Sequence, residues 1–319
     1  MYYIGIDLGG TNIAAGITDE NGNIICKDSV PTGREREYGD IIKDMAMLSL
    51  ALVKKSQIAM EDIKGIGIGA PGTPDTRNGI LLYANNLKFK NVPMRTEMQK
   101  YIDLPVFIEN DANCAALAES VAGAASDVEN SITITLGTGI GGGIVIGRKV
   151  YSGFNGAAAE VGHISIVMDG KQCTCGRKGC WEAYGSAEAL IEQAREAAKE
   201  NPCSLVNELV DGDLSKVNAK IPFDAARHGD ETAKKVVDRY IRYVAEGLTN
   251  LINVFTPQVV VIGGGISKEG EYLLKPLREH IYRDVYAKDV PQTELRIAKL
   301  GNDAGIVGAA MLGANTTGS

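Results

Sequence analysis

The strongest constraint on the fold of this chain is a strand–turn–strand pattern that occurs twice. In the first copy, Tyr3, Ile4 and Ile6 lead into Asp7-Leu8-Gly9-Gly10-Thr11, and Ile13-Ala14-Ala15-Gly16-Ile17 returns. In the second, Ser131-Ile132-Thr133-Ile134-Thr135-Leu136 leads into Gly137-Thr138-Gly139, and Ile140-Gly141-Gly142-Gly143-Ile144-Val145-Ile146 returns. A glycine-threonine turn offers backbone N–H groups and a hydroxyl, the donors a phosphate requires. Taken alone, either turn reads equally well as a plain hairpin. Two copies at domain-sized separation predict a duplicated architecture whose loops face one phosphate chain. Asp7, just ahead of the first turn, is placed to hold a magnesium ion through water. Asn21-Gly22 ahead of Ile24-Ile25 predicts a two-residue turn to a third strand.

A second feature is Cys173-Thr174-Cys175-Gly176-Arg177-Lys178-Gly179-Cys180-Trp181-Glu182. Three cysteines in this short span, with glycines that let the chain turn back, suit one tetrahedral ion. His163, in Val161-Gly162-His163, is the histidine near enough in sequence to supply a fourth ligand. A Cys3His set is a structural zinc composition with no open position for catalysis. The alternative is a disulfide plus a spare thiol. On the zinc reading the knuckle clamps Glu160, His163 and Glu182 close together.

At 319 residues the chain is expected to form two domains or one two-lobed unit. A net charge of -7, with no basic block, argues against nucleic acid as a partner. The N-terminus reads directly as a strand, without the basic and apolar regions of a signal peptide. No apolar run approaches the ~20 residues of a membrane span. The expectation is therefore a cytoplasmic protein with reduced cysteines. Cys26, Cys114 and Cys203 read as core or neutral surface thiols. Glycine is abundant, at 38 residues, and gathers in short runs that mark tight turns near a ligand.

Between the two hairpins, residues 40–57 predict a helix with Ile41, Met45, Leu48 and Leu52 inward and Met47 as a further core filler. Residues 64–72 read as a buried strand ending in Ala70-Pro71-Gly72. Asn85-Asn86-Leu87 and Val92-Pro93 read as a loop. The apolar strand Leu104-Pro105-Val106-Phe107-Ile108 runs into Glu109-Asn110-Asp111-Ala112-Asn113 and a helix of small residues. Strand end, acidic residue and helix start is where α/β proteins place catalytic groups; in isolation Asp111 reads as a helix cap.

Beyond the knuckle, residues 186–200 predict a helix capped by Ser186. Residues 201–229 read as a polar, loop-rich connector. Residues 230–255 predict a long helix with an apolar stripe from Val237 to Phe255, ended by Pro257. Val259-Val260-Val261-Ile262 is a strand into Gly263-Gly264-Gly265, where close backbone approach suits a flat ligand or a tight turn. His228 and His280 read as surface residues. Residues 303–310 form a small-residue helix, and the tail from Asn315 is expected to fray.

With these motifs in view, the chain resembles the ROK sugar kinases of the actin/hexokinase-like ATPase superfamily. The resemblance spans essentially the whole chain. It rests on Asp7–Thr11, Glu109–Asn113, Leu136–Gly143, Glu160-Val161-Gly162-His163, the cysteine knuckle and Ile262–Gly265, and the continuation Cys180–Tyr184 is most similar to the bacterial glucokinase branch. It implies an α/β, two-lobed actin-like (ribonuclease H-like) fold with duplicated mixed sheets. The smaller lobe would take residues 1–110 with the helix 303–319, and the larger lobe 111–302. It implies transfer of the ATP γ-phosphoryl group to the 6-hydroxyl of glucose, with Asp111 as general base. Gly72, Asn86, Asn110, Asp111, Glu160, His163 and Glu182 would bind the sugar. Gly9, Gly10, Thr11, Thr138 and Gly139 would cradle phosphates, Asp7 would hold magnesium, and Gly264 and Gly265 would flank adenosine. His163, Cys173, Cys175 and Cys180 would hold zinc, and the assembly would be a homodimer or homotetramer. Kinases for N-acetylglucosamine or N-acetylmannosamine share this binding set, and polyphosphate is a conceivable donor. Sugar-responsive regulators of the same family carry an N-terminal helix-turn-helix segment, whereas this chain starts at the phosphate-loop strand. An actin-like structural ATPase would leave Asp111 and the knuckle without purpose. Two departures stand out: Asn12 where relatives often have lysine, and Ala159 where they often have glycine.

Overall fold

The computed structural model describes residues 1–316. Strands β1 (Tyr2–Leu8), β2 (Asn12–Asp19) and β3 (Ile24–Pro31) form an antiparallel meander. Alternating apolar residues explain it: Ile4, Ile6, Leu8, Ile13, Ala15 and Ile17 are fully buried on the core side. The β2–β3 connection is longer than the expected two-residue turn, since pairing stops at Thr18 and Ile24. The Asp19 carboxylate accepts from the Asn21 and Asn23 N–H groups, each at 2.9 Å, and so opens the turn.

Helix α1 (Tyr38–Ser56) buries Ile41, Met45, Leu48 and Leu52 as expected. Met47 is 42% exposed, so it is not core. Next come β4 (Ile63–Ala70), β5 (Thr73–Asp75), β6 (Ile80–Ala84) and β7 (Phe89–Val92). The last three make a small antiparallel sheet where a loop was expected, with Asn85–Leu87 as a single 3-10 turn inside it. Helix α2 (Met94–Gln99) leads to β8 (Val106–Asn110) and α3 (Asp111–Val121). The first sheet has the order β3-β2-β1-β4-β8, with β4 parallel to both neighbours.

The second hairpin is β9 (Ser131–Leu136) and β10 (Ile140–Ile146), followed by β11 (Lys149–Val150). After the knuckle come α4 (Glu182–Gly185), α5 (Ala187–Glu200), α6 (Leu205–Glu208), α7 (Ile221–Arg227) and α8 (Glu231–Phe255). The expected connector at 201–229 is therefore partly helical. Arg195 fixes it by donating to the carbonyls of Leu214, Ser215 and Val217. On α8 the predicted stripe is buried from Val237 to Ile252, while Phe255 is only half-buried. The chain ends through β12 (Val259–Gly263), α9 (Glu271–Asp284), β13 (Glu294–Ile297) and α10 (Ala304–Thr316). The side chains from Asn315 onward, where fraying was expected, lie outside the described residues.

The second sheet has the order β11-β10-β9-β12-β13, matching the first position for position. It too is mixed, antiparallel at β10–β11 and parallel at β12–β13. Two compact units result. One comprises Met1–Thr133, Gly143–Ala159 and Ala298–Ser319; the other comprises Ile134–Gly142 and Glu160–Ile297. The first unit thus extends past the expected break at residue 110 and includes α3. The reason is α10, which packs on β1, β4 and α3 together. A Cβ on Gly67 would lie 1.7 Å from the Ala309 carbonyl oxygen, and one on Gly308 would lie 1.7 Å from that of Cys114. Only glycine permits backbones to meet so closely.

Candidate active site

In the first unit, the turn after β1 is closed by the Gly9 N–H donating to the Asn12 carbonyl at 3.0 Å. Buried Thr32 braces it, its hydroxyl donating to the Gly9 carbonyl at 2.7 Å. Gly10 lies beside Asn86, with 3.8 Å between a Cβ built on Gly10 and the Asn86 Cβ. Asp7, next to last in β1, lies against α10, where a side chain on Gly305 would meet its carboxylate at 2.4 Å. Burial, and then the negative charge of Asp111, push the Asp7 carboxyl up to about 6. Two carboxylates sharing one neighbourhood resist joint ionisation, which is the setting a divalent cation relieves.

Asp111 is the first residue of α3, and the cap of that helix is Asn110 instead. The Asn110 side-chain oxygen accepts from the N–H groups of Ala112 and Asn113 at 2.9 and 3.2 Å. Its amide donates to the Gly72 carbonyl at 3.0 Å. Asn110 and Gly72, both expected to face sugar, therefore hold each other and the helix start. The cap position is therefore Asn110's, and the Asp111 carboxylate shares the Ala112 N–H, accepting from it at 2.9 Å. Glu109 is a residue whose role the sequence did not reveal. It is 5% exposed and accepts from Asn110 N–H at 2.8 Å, Asn113 Nδ2 at 3.0 Å and the Ser152 hydroxyl at 2.6 Å. Its only sequence signal was its place in the Glu-Asn-Asp run.

In the second unit, the cysteine loop folds back through bridges at Ser165–Cys180 and Gln172–Lys178. His163 closes a 3-10 turn, Val161–His163, whose preceding residue is Glu160. One ligand atom from each of His163, Cys173, Cys175 and Cys180 falls within 4.8 Å of all the others. The His163 Nδ1–Cys173 Sγ distance is 3.7 Å and the Cys175–Cys180 sulfur distance is 3.6 Å. A disulfide needs about 2.05 Å, so no two of these sulfurs are bonded to each other here. Burial, then the Cys175 and Cys173 sulfurs, push the Cys180 thiol up to about 12. Crowded thiols of this kind ionise together only when a cation compensates them.

Glu182, at the start of α4, is tied to the second glycine turn. Its Oε2 accepts from the Ile140 N–H at 2.9 Å, and a Cβ on Gly139 would meet that oxygen at 2.3 Å. Its other oxygen lies 3.9 Å from the Cys173 sulfur. Thr138, Cys173 and Glu182 line one cavity of about 720 Å³. Gly264, at φ +84°, approaches the end of β9, where a Cβ would lie 2.3 Å from the Leu136 carbonyl oxygen; Gly265 opens the next turn with free space around it. Glu160 is exposed; its carbonyl accepts from the His163 N–H at 3.1 Å, and its side chain makes no hydrogen bond among the described residues. Ala159, the departure noted in the sequence, has φ +66°, a left-handed conformation that glycine adopts without cost.

The structure thus gathers Asp7, Gly9, Gly10, Thr11, Gly72, Asn86, Asn110 and Asp111 in one unit. It gathers Thr138, Gly139, Glu160, His163, Glu182, Gly264, Gly265 and the cysteines in the other. The chain belongs to the ROK family, whose model matches residues 3–316. It is 37% identical to the glucokinase of Halalkalibacterium halodurans over 98% of this chain and 94% of that one. A crystal structure of a ROK family glucokinase from Streptomyces griseus, in complex with glucose and AMPPNP, is 37% identical. It covers 98% of this chain and 99% of its own with a TM-score of 0.79. The xylose repressor of Caldicellulosiruptor bescii is 31% identical over 96% of this chain but only 76% of its own length.

Proposed function

We propose that this protein is an ATP-dependent hexose kinase that makes glucose 6-phosphate. The observation that carries the reading is the pair Asp7 and Asp111, two carboxylates in mutual electrostatic reach, one near the end of β1 and the other at the start of α3. One holds a cation and the other receives a proton. Full-length similarity to glucokinases supports the substrate.

In this mechanism Asp111 accepts the proton of the sugar 6-hydroxyl as its oxygen bonds to the γ-phosphorus. The bond from that phosphorus to the bridging oxygen breaks, and ADP leaves. Phosphoryl transfer depends chiefly on positioning and charge stabilisation. Asn110 and Glu109 supply positioning by fixing the helix start that presents Asp111. Gly9, Gly10, Thr11, Thr138 and Gly139 offer donors to the phosphates, and Gly264 and Gly265 would flank the nucleoside. Asp7 holds magnesium, which neutralises phosphate charge when bound. Glu160, His163 and Glu182 bind sugar hydroxyls, as do Asn86 and Gly72.

His163, Cys173, Cys175 and Cys180 fit zinc. A tetrahedron with bonds of ~2.3 Å has edges of about 3.7 Å, close to the 3.6 and 3.7 Å separations. Zinc held by these four residues would close the loop structurally, and the His163 ring would still face the sugar. Thiolate ligands suit a cytoplasmic protein, and a homodimer or homotetramer is the assembly we expect.

The test is ADP release with ATP and magnesium across glucose, N-acetylglucosamine, N-acetylmannosamine and mannose. Selective turnover of glucose is expected. Turnover only with an N-acetyl sugar would move the substrate and keep the chemistry. Sugar binding without turnover of any of them would favour a regulator.

A further inference from the structure

A second pocket on the α8–α9 side of the second unit plays no part in this chemistry. Its volume is about 430 Å³, and it is lined by Arg239 and Arg242 of α8, by His280, Arg283 and Asp284 of α9, and by apolar surface from Val167 and Tyr243. His280, expected at the surface, is half-buried here. Arg283 is already matched: it donates to both Asp284 oxygens, at 2.8 and 2.7 Å, and to His280 Nδ1 at 2.9 Å. Arg239 and Arg242 have no ion pair or hydrogen bond among the described residues. They lie three apart on one helix face, so their charges repel. With Glu246 as the other acid in the lining, three arginines face two carboxylates. The pocket is positive on a chain whose net charge is -7.

The wall behind the pocket connects to the knuckle. The Tyr243 ring packs on Tyr184 with centroids 4.8 Å apart, and the Tyr243 carbonyl accepts from the Trp181 indole N–H at 2.8 Å. Val167 donates to the Gly179 carbonyl at 3.3 Å. Trp181 stands directly between Cys180 and Glu182.

We propose that this pocket binds a small phosphate monoester, its phosphate across Arg239 and Arg242 and its carbon skeleton against Val167 and Tyr243. Guanidinium pairs favour phosphate oxygens through charge-assisted hydrogen bonds. A free phosphate ion would leave most of the volume empty, whereas pockets of this size suit small organic ligands. Through Tyr243 and Trp181 the bound ester acts on the segment that carries Glu182.

Trp181 is the single tryptophan of the chain, so its fluorescence reports on the wall directly and requires no turnover. The experiment titrates 3-phosphoglycerate, fructose 1,6-bisphosphate and, as controls, inorganic phosphate and gluconate into the zinc-loaded full chain with glucose and AMPPNP present. Calorimetry on the same samples gives the stoichiometry. We expect a saturable fluorescence change with at least one ester, at one ester per chain, and weaker binding of both controls. Loss of one charged hydrogen-bond partner is worth about 1.5–3 kcal/mol. Arg242→Ala should therefore weaken the ester about 10-fold or more, with Arg242→Lys intermediate and ADP release without effector unchanged. Absence of ester binding in both measurements, or equal binding by Arg242→Ala, would overturn the proposal. So would light scattering showing that Arg242→Ala dissociates an oligomer, because a second copy would then cover this face.

Discussion

The two glycine-threonine turns share a sequence pattern and sit at equivalent places in two sheets of the same order, yet their surroundings differ. The turn at Gly9–Thr11 stands beside Asp7 and has room around Gly10, where the nearest atom to an added Cβ is 3.8 Å away. The turn at Gly137–Gly139 is pinned by Glu182 and has no room at Gly139, where the same distance is 2.3 Å. Both turns keep the same backbone device. Under the proposed mechanism their neighbours divide the work, carboxylates for cation and proton beside the first, sugar and metal ligands beside the second.

The most severe way to test the carboxylate side is Asp111→Asn. Base catalysis is typically worth ~10²–10⁴-fold, so kcat should fall by that order while circular dichroism and metal content stay unchanged. Near-normal turnover would remove Asp111 from the mechanism.

A sharper contrast sets Gly139→Ala against Gly10→Ala. The first drives a methyl into the Glu182 carboxylate, and small misplacements of binding groups cost up to ~10²-fold. We expect the glucose KM to rise about 10-fold or more for Gly139→Ala and by less than about 3-fold for Gly10→Ala. Equal effects would mean that the turns are not differentiated as described.

The third test concerns pH. The folded-state value of Asp7 is raised to about 6 from 3.8. Its contribution to stability is therefore fully present below about pH 4 and is lost as pH rises through about 6. At ~1.36 kcal/mol per unit the full swing is at most about 3 kcal/mol. Asp7→Asn lacks this loss, so its stability relative to the parent should improve between pH 4 and pH 8 in urea melts without divalent cation. Excess magnesium should shrink the difference by stabilising the charged parent. A difference that does not change with pH would refute the raised value.

The smallest effect is expected at Ala159, where the chain passes from one unit to the other at φ +66°. Ala159→Gly relieves a left-handed alanine and should raise the urea midpoint by the equivalent of about 1 kcal/mol or less. A lowered midpoint would mean that the methyl contributes packing that outweighs the strain.

Much of this was written locally in the chain. Ser186 and Asp230 cap their helices as short-range hydrogen bonding dictates, the former being predicted and the latter lying at the predicted start. The strand at Val259–Gly263 follows from an uninterrupted apolar run, and that at Tyr2–Leu8 from alternating apolar residues. The cysteine spacing announced a tetrahedral set because its ligands are near neighbours in sequence. Met47 misled because helical periodicity places a residue near a face boundary without saying how wide the covering neighbours are. The Asn85–Leu87 region misled because its short strands acquire their definition only by pairing with each other.

What the sequence determined by itself, then, was what depends on a few adjacent residues: caps, turns, strand character, ligand spacing and the family motifs. Tertiary structure decided which charges meet. Asp7 comes from β1 and Asp111 from α3, Glu182 reaches a backbone amide 42 residues away, and the arginine pocket needs α8 and α9 side by side. Electrostatic neighbours and steric clearances depend on distances through space, and a linear pattern fixes those only after the chain has folded back on itself.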